Sequence, residues 1–413
     1  MLFGGIMNNK LIWLWLSLHF DAGSRIFNGL YSHFGSVEAI YDCDDADLAS
    51  IDWLKNHEKK KLLDKNTDHA EQVLDWCDYY DVDILTPEDD NYPYPLRSLT
   101  NYPAVIYCKG IIPDFKKQLC ISVVGTRKMT NSGKMNAYEL GYGLTKGGAL
   151  VVSGMAAGID CTAQKGALYA GGSTVAVLGC GINVVFPKEN FELMKKIMKV
   201  GCVITEYPPN TPPNGFNFPV RNRLISALSS ATVVVEADEN SGALITARKA
   251  AEQGKDLFAF PGPVKNFSTS GNNLLLSQGA KVATCAIDIL EHYLDVHSED
   301  INLSASKEKP SFGEKTKREP IEFKEGFFDS ARYTPKRRND IIIPKKEEVN
   351  RFDASKLGEK EKSVYDFMEY DKPISTETLA NMGMDIEELA SILTMLEIMG
   401  AVSALPGGYY LKK

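Results

Sequence analysis

Between Cys120 and Phe260 the sequence repeats one device, a short unbroken apolar run followed by a helix-length stretch. The runs are "CISVV", "ALVVS", "TVAVL", "CVIT", "TVVVE" and "DLFAF". A strand that is apolar throughout has no face to offer water, so both of its faces must be covered. Strands of that kind separated by helices build a mainly parallel sheet with helices on each side, a doubly wound α/β fold. We assign this domain to residues 112–296. Its ligands are expected beyond the carboxyl ends of the strands, where open sheets bind them.

The flanks read differently. Residues 1–80 follow a helical period, with Trp13, Trp15, Trp53 and Trp76 as core anchors. Inside them, "LYSHFGSVEAIYDCDDADLASI" ends one helix at Gly35 and begins another with Ser36 as N-cap. That outline is a small helix-hairpin-helix or SAM-like unit. Its acidic run, Asp42 to Asp47, favours a structural or docking role over a grip on DNA. "KLIWLWLSL" is too short to span a membrane, and no small-residue cleavage site follows it. It reads as a first amphipathic helix, with Met7 an alternative start.

Residues 81–111 form a proline-rich connector that ends in a strand at Ala104 to Cys108. Residues 297–352 are rich in lysine, arginine and glutamate without periodicity and are expected to be a disordered tether. Residues 353–413 give a helix, "PISTETLA", a second helix around Ile386 to Met399, and a Pro-Gly-Gly hairpin. That order is a winged helix. Asp385, Glu387 and Glu388 near the start of its second helix would repel a phosphate backbone, which argues against a sequence-reading DNA binder.

Charge and cysteine usage narrow the chemistry. The 413 residues carry a net charge of −8, so any nucleic-acid binding must come from a local basic groove. The 8 cysteines show no C-x-x-C spacing and several lie in apolar runs, the usage of reduced buried thiols rather than zinc or disulfides.

The strand ends carry the candidate site. The first delivers Gly125, Thr126 and Arg127, in neither a Walker loop nor a G-x-G-x-x-G pattern. The second offers Ser153 and Gly154, with Gly158 and Asp160 opening the next helix. Lys188 and Phe191 follow in "FPKENF", Arg221, Asn222 and Arg223 in "FPVRNRLIS", and Ser241 and Gly242 in "EADENSGALITA". A small residue just before a helix bares N–H groups reinforced by the helix dipole. Several such points suit a polyanion better than one mononucleotide. Lys188 with Phe191 pairs a cation with a ring, as single strands require, because an unstacked base gains about 1–3 kcal/mol on an aromatic face. Each residue also has a plainer role. The glycines would serve as turns, Lys188 as a solvated lysine and Phe191 as helix core. Arg221 and Arg223 would then pair with Asp160, Glu206 or Glu236. Catalysis has little support: Cys180 has no adjacent base, no carboxylate cluster has metal-ligand spacing, and no cofactor motif is present.

Together, "SVVGTRKMTNSG", "VVSGMAAGIDCTAQKGAL", "VAVLGCGINVVFPKEN", "ITEYPPNTPP", "FPVRNRLISALS", "VVVEADENSGALITARKAAEQGKDLFAFPG" and "GNNLLLSQGAKV" resemble the DprA/Smf DNA-processing family, in order and across the central domain. The helical and winged-helix flanks fit the same architecture. The resemblance implies an extended Rossmann-like domain in a cytosolic bacterial protein with no established enzymatic activity and no cofactor. It implies binding, as a homodimer, of single-stranded DNA taken up in natural transformation (competence), protection of that strand, and loading of RecA recombinase on it. Carried over by motif, phosphate contacts fall on Gly125 to Arg127, Ser153, Gly154 and Lys188, and the stacking ring on Phe191. Arg221, Asn222, Arg223, Ser241 and Gly242 complete the pocket, and Arg127's fork would grip a phosphate bidentately. Many relatives have histidine where this chain has Gln164, which weakens acid–base chemistry there. Leu274, Leu275 and Leu276 are too many adjacent leucines for one buried stripe, so Leu275 and Leu276 are expected at a dimer interface. The rival reading is a Rossmann-like enzyme acting on a small phosphorylated nucleotide. Such enzymes carry "PGGxGT" followed by a catalytic glutamate, and "ENSGALITA" offers no such glutamate directly behind it.

Overall fold

The computed structural model describes residues 9–310, 323–328, 354, 357–368, 374–375, 379, 386–405 and 409–412. The chain divides into two units, Met1–Pro335 and Lys336–Lys413.

In the first unit, helices α1 (Asn9–His19), α2 (Ile26–Phe34), α3 (Val37–Asp42), α4 (Asp45–Ala49), α5 (Asn56–Leu63) and α6 (Asp68–Tyr79) come first. Gly35 ends α2 in the left-handed region at φ 82°, and the Ser36 side chain caps α3 by accepting from the Ala39 amide. Trp13, Trp15 and Trp76 are buried as the periodicity requires. Trp53 is a correction, being half exposed. It packs against Gly29, where an added Cβ would come 2.7 Å from the indole, and the rest of the side chain stays open to solvent.

A sheet of nine strands follows: β1 (Asp83–Leu85), β2 (Ile106–Gly110), β3 (Cys120–Val124), β4 (Leu150–Ser153), β5 (Thr174–Leu178), β6 (Cys202–Thr205), β7 (Ala231–Val234), β8 (Asp256–Ala259) and β9 (Lys281–Val282). Their order is β1-β2-β6-β5-β4-β3-β7-β8-β9. The β1–β2 and β2–β6 pairings are antiparallel, and the rest are parallel. The fold is the expected Rossmann-like α/β arrangement.

Helices α7 (Asn131–Lys146), α8 (Ile159–Tyr169), α9 (Phe191–Val200), α10 (Asn217–Ala227), α11 (Ala243–Glu252) and α12 (Ser270–Ser277) cover the sheet. Alternate residues of β3 enter opposite cores. Cys120 and Val124 pack with Leu224, Ile225 and Ala247, while Ile121 and Val123 pack with Leu140, Ile159 and Ala163. On that second face α7 and α8 touch backbone to backbone, since a Cβ on Gly141 would fall 2.0 Å from the Ala163 carbonyl oxygen. The chain runs outward from β3 through β4 and β5 to β6, then returns to β7 on the other side of β3. The topological switch therefore lies between β3 and β7.

Two expectations fail at the end of this unit. Residues 297–310 are not a tether: Ile301 and Leu303 pack on the core, and the Asn302 amide donates to Gly147. The anchoring residues are too sparse to make a periodic pattern. Leu275 is not surface either. It is buried in the core beneath the sheet with Leu276 packed against it, and Leu274 is the exposed leucine.

The second unit contains helices Glu359–Phe367 and Ile386–Ile398 and a three-stranded antiparallel sheet of β10 (Ile374–Ser375), β11 (Val402–Leu405) and β12 (Tyr409–Lys412), ordered β10-β12-β11. Val364, Tyr365, Leu389, Leu393, Leu396 and Val402 form its core, and the architecture is a winged helix. Asp385 and the side chains of Glu387 and Glu388 lie outside the described residues.

Candidate functional site

The strand ends at the switch point open on a crevice of about 800 Å³. Gly125, Thr126, Arg127, Arg221, Asn222, Ser241 and Gly242 all line it. Its floor requires small residues. A Cβ on Gly125 would fall 2.5 Å from Ile159 and 2.8 Å from the Glu236 carbonyl oxygen. Gly158, at φ 87°, would place one 2.2 Å from the Thr126 carbonyl oxygen. The Thr126 amide donates to the Glu236 carbonyl at 2.7 Å, and the Ile159 amide donates to Thr126. The β3 turn is thus tied both to the start of α8 and to the chain leaving β7.

The helix N-terminus behind that turn is not an open anion site. Glu236, buried, fills it: its carboxylate accepts from the Thr130 amide at 3.0 Å and from the Thr130 hydroxyl at 2.7 Å. The positive charge that solvent can reach comes from side chains instead, with Arg127 and Lys128 exposed at the rim. Asp160 is buried beside Gly154, whose amide donates to it at 3.1 Å. Burial pushes its carboxyl above the ordinary range, against the pull of Arg221 and that amide. Arg221 makes its bonds elsewhere. It donates through Nη1 to the carbonyls of Gly154, at 2.9 Å, and Val177, and through Nε to Asn222 Oδ1 at 3.1 Å.

An aromatic wall that the sequence reading missed stands over these arginines. The Phe218 ring lies 5.0 Å from the Arg127 guanidinium carbon and 5.7 Å from that of Arg221. Phe186, partly exposed, packs against Phe218 at 5.5 Å. Each ring sat in a quoted motif, "VAVLGCGINVVFPKEN" and "FPVRNRLIS", one residue before a proline. That position was the available signal.

The remaining expected residues lie elsewhere. The Ser153 hydroxyl is fully buried and donates to the Val123 carbonyl, so it braces the sheet. Gly154 lines a smaller cavity of about 220 Å³ beside the crevice, together with Arg127, Phe186 and Phe218. Lys188 is exposed next to Pro187 at that cavity's edge. Phe191 meets Phe328 at 4.9 Å and carries the Lys195 ammonium 4.7 Å from its centroid; it does not line the crevice.

Arg223 corrects the expectation most clearly. It is buried and bonds Glu206 at 2.8 Å and the Asn101 carbonyl at 3.0 Å. The expected Glu206–Arg223 salt bridge forms, while Asp160 acts on Arg221 without a direct bond.

Two side chains of catalytic type, Cys180 and Gln164, make their bonds within the fold. Burial pushes the Cys180 thiol up to about 11, and its sulfur donates to Val184. Gln164 is fully buried, donating to the Val175 carbonyl, and does not line the crevice. Among the described residues no group of three or more His, Cys, Asp or Glu is placed to hold a metal ion. Nor is any helix among them long and apolar enough to cross a membrane.

Comparison with known proteins gives consistent matches. The family model described as DNA recombination-mediator protein A matches residues 83–294, and that of the DprA winged helix domain matches residues 352–408. The chain is 39% identical over 210 residues to the DNA processing protein DprA of Bacillus subtilis, covering 51% of this chain and 71% of that one. It is 33% identical over 279 residues to the protein Smf of Synechocystis, covering 67% and 70%. The crystal structure of DprA from Streptococcus pneumoniae superposes with a TM-score of 0.61 at 30% identity, covering 69% of this chain and 98% of that one.

Proposed function

Because this chain belongs to the DNA recombination-mediator protein A family, we propose that its switch-point crevice is a track for single-stranded DNA. One observation carries the reading: the exposed cations Arg127 and Lys128 stand beside the Phe186–Phe218 wall in a crevice open to solvent. Cations serve phosphates of any sequence, and rings serve bases only when those bases are unstacked, which selects single strands over duplex. Lys188 extends the charge past Pro187, and Phe191 is a second ring further along the track.

The role is binding rather than turnover. Glu236 is committed to Thr130, Asp160 to the Gly154 amide, and Cys180 to its protonated form. In this reading the protein is cytoplasmic, uses no cofactor, protects DNA entering during natural transformation and loads RecA recombinase on it. A homodimer would place two tracks on one strand and raise avidity without new contacts.

Binding of a single strand and its duplex by the purified full chain, measured across salt, tests this. Single strands should win. If three or four phosphates are neutralised, log K should fall with log salt at a slope of about −2 to −3, from roughly −0.7 per phosphate. Equal affinity for duplex or a salt-independent constant would overturn the reading. Hydrolysis of a nucleoside phosphate would put the enzyme reading first.

A further inference from the structure

The short segment Phe323–Phe328, "FKEGFF", belongs to the charged stretch between the two modules, yet its rings are built into the first unit. Phe327 is 2% exposed and stacks on Trp76 at 5.8 Å with its edge toward Tyr80 at 5.7 Å. Lys109 places its ammonium 5.7 Å from the same ring. Phe323 stacks on Phe327 at 5.7 Å, and Phe328 packs edge-on against both. Polar contacts fix the register. Lys324 pairs with Asp81 at 2.9 Å and donates to the Tyr79 carbonyl at 2.6 Å, and the Tyr80 hydroxyl reaches the Glu325 carbonyl. Asp81 sits at φ 52°, in a turn whose carbonyls at Tyr80 and Asp81 are also held by Lys109.

The far end of this segment touches the candidate DNA surface. Phe328 meets Phe191 at 4.9 Å, three residues after Lys188. We propose that Phe323–Phe328 is a cover acting in cis, occupying the cleft of Trp76, Tyr80 and Phe191 and competing with nucleic-acid bases for Phe191. This rests on the reading of Phe191 as a ring of the DNA track. Phe328 meets Phe191 at an interplanar angle of 76°, and a base laid on that side of Phe191 takes its place. Lys195 is held by Glu192 at 2.7 Å and stays at the ring when Phe328 leaves. Phe328 brings no charge to a phosphate and is the competitor.

Covalent attachment sets the balance. A tethered segment acts at an effective concentration in the millimolar range, so it outcompetes a short strand that holds Phe191 alone. A strand long enough to occupy the crevice as well brings further contacts and displaces it. The cover therefore discriminates by strand length, admitting long single strands to the Lys188–Phe191 end and excluding fragments.

The test uses the full chain, a short oligothymidylate and two variants, Phe328→Ala and Lys324→Ala, which loosen the segment while leaving the core ring Phe327 in place. If the covered form outweighs the open form about ten to one, each variant tightens short-strand binding by roughly tenfold. Lys324→Ala removes a positive charge, which alone would weaken DNA binding, so tightening there cannot be electrostatic. Amide exchange at residues 323–328 should be slow in the free protein and fast when long oligothymidylate saturates it. Unchanged short-strand affinity in both variants, or protection that survives saturation with the long strand, overturns the cover and leaves crevice binding intact. Wild-type protein that binds no single strand overturns the reading beneath it as well.

Discussion

Arg221 and Arg223 stand two residues apart on one helix, and the sequence presents them as equals. The structure sends them to different regions. Arg221 turns to the crevice, where it lines the wall under Phe218 and satisfies its N–H groups on carbonyls and Asn222. Arg223 turns to the joint between the helical N-terminal part and the sheet. There one Glu206 oxygen receives both Arg223 and the Gly23 amide, and Asn101 links the same loop from the connector. Both are buried, so burial alone does not separate them. What differs is the partner: a carboxylate cancels Arg223, whereas no direct carboxylate contact cancels Arg221.

That difference has a large consequence for stability. Arg223→Ala leaves Glu206 charged and buried without its cation, a change that costs about 3–5 kcal/mol. Chemical denaturation should show the loss, while the salt slope for single-stranded DNA stays at the wild-type value in the fraction that folds. The double change Arg223→Met with Glu206→Leu should recover much of the stability, because it removes both charges at once. A single variant that keeps its stability but loses a unit of salt slope would move Arg223 to the DNA surface.

Phe218 gives the next effect in size, on the crevice side. Phe218→Ala should weaken single-strand binding by about 1–3 kcal/mol with little dependence on sequence. Phe218→Leu keeps the apolar bulk against Gly179 and should still lose the stacking. If the leucine variant binds like wild type, the ring is packing rather than platform. Arg127→Ala should be smaller, flattening the salt slope by about 0.7 with the melting temperature nearly unmoved. A variant that unfolds instead would assign Arg127 to the fold.

The contrast also marks what the sequence made legible. The continuous apolar runs required a sheet covered on both faces, and the strand-end rule places the crevice from the sequence. Gly125 and Gly158 were readable because a tight approach leaves room for no other residue. The partner of a charged side chain was not readable, since Arg223 finds Glu206 17 positions away through the crossing of β6 and α10. Three-dimensional crossing also hid the aromatic wall: Phe186 and Phe218 meet across 32 residues of sequence, and neither motif alone announces the pair. Leu275 misled for the opposite reason. Three adjacent leucines look like surplus apolar surface, yet α12 sits at the sheet edge, where its neighbours cover Leu275.

The smallest predicted effect probes the remaining asymmetry, the buried carboxylate near each arginine. Burial raises the Asp160 carboxyl above its unfolded value. The sign follows from linkage. The contribution of such a group to stability is fully present below its unfolded value, near 3.9, and is lost as pH rises through its folded value. The same ionisation adds a negative charge to the crevice floor, so single-strand affinity should fall with it. Asp160→Asn keeps an oxygen for the Gly154 amide and removes the titration. Its stability and its affinity for single strands should therefore vary less with pH over that interval than those of the wild type. Above the interval it should bind slightly more tightly, by less than Arg127→Ala loses. Glu206→Gln, at the other arginine, should change stability and leave single-strand affinity alone. If both substitutions shift binding alike, the two regions share one electrostatic field and the division between crevice and joint fails.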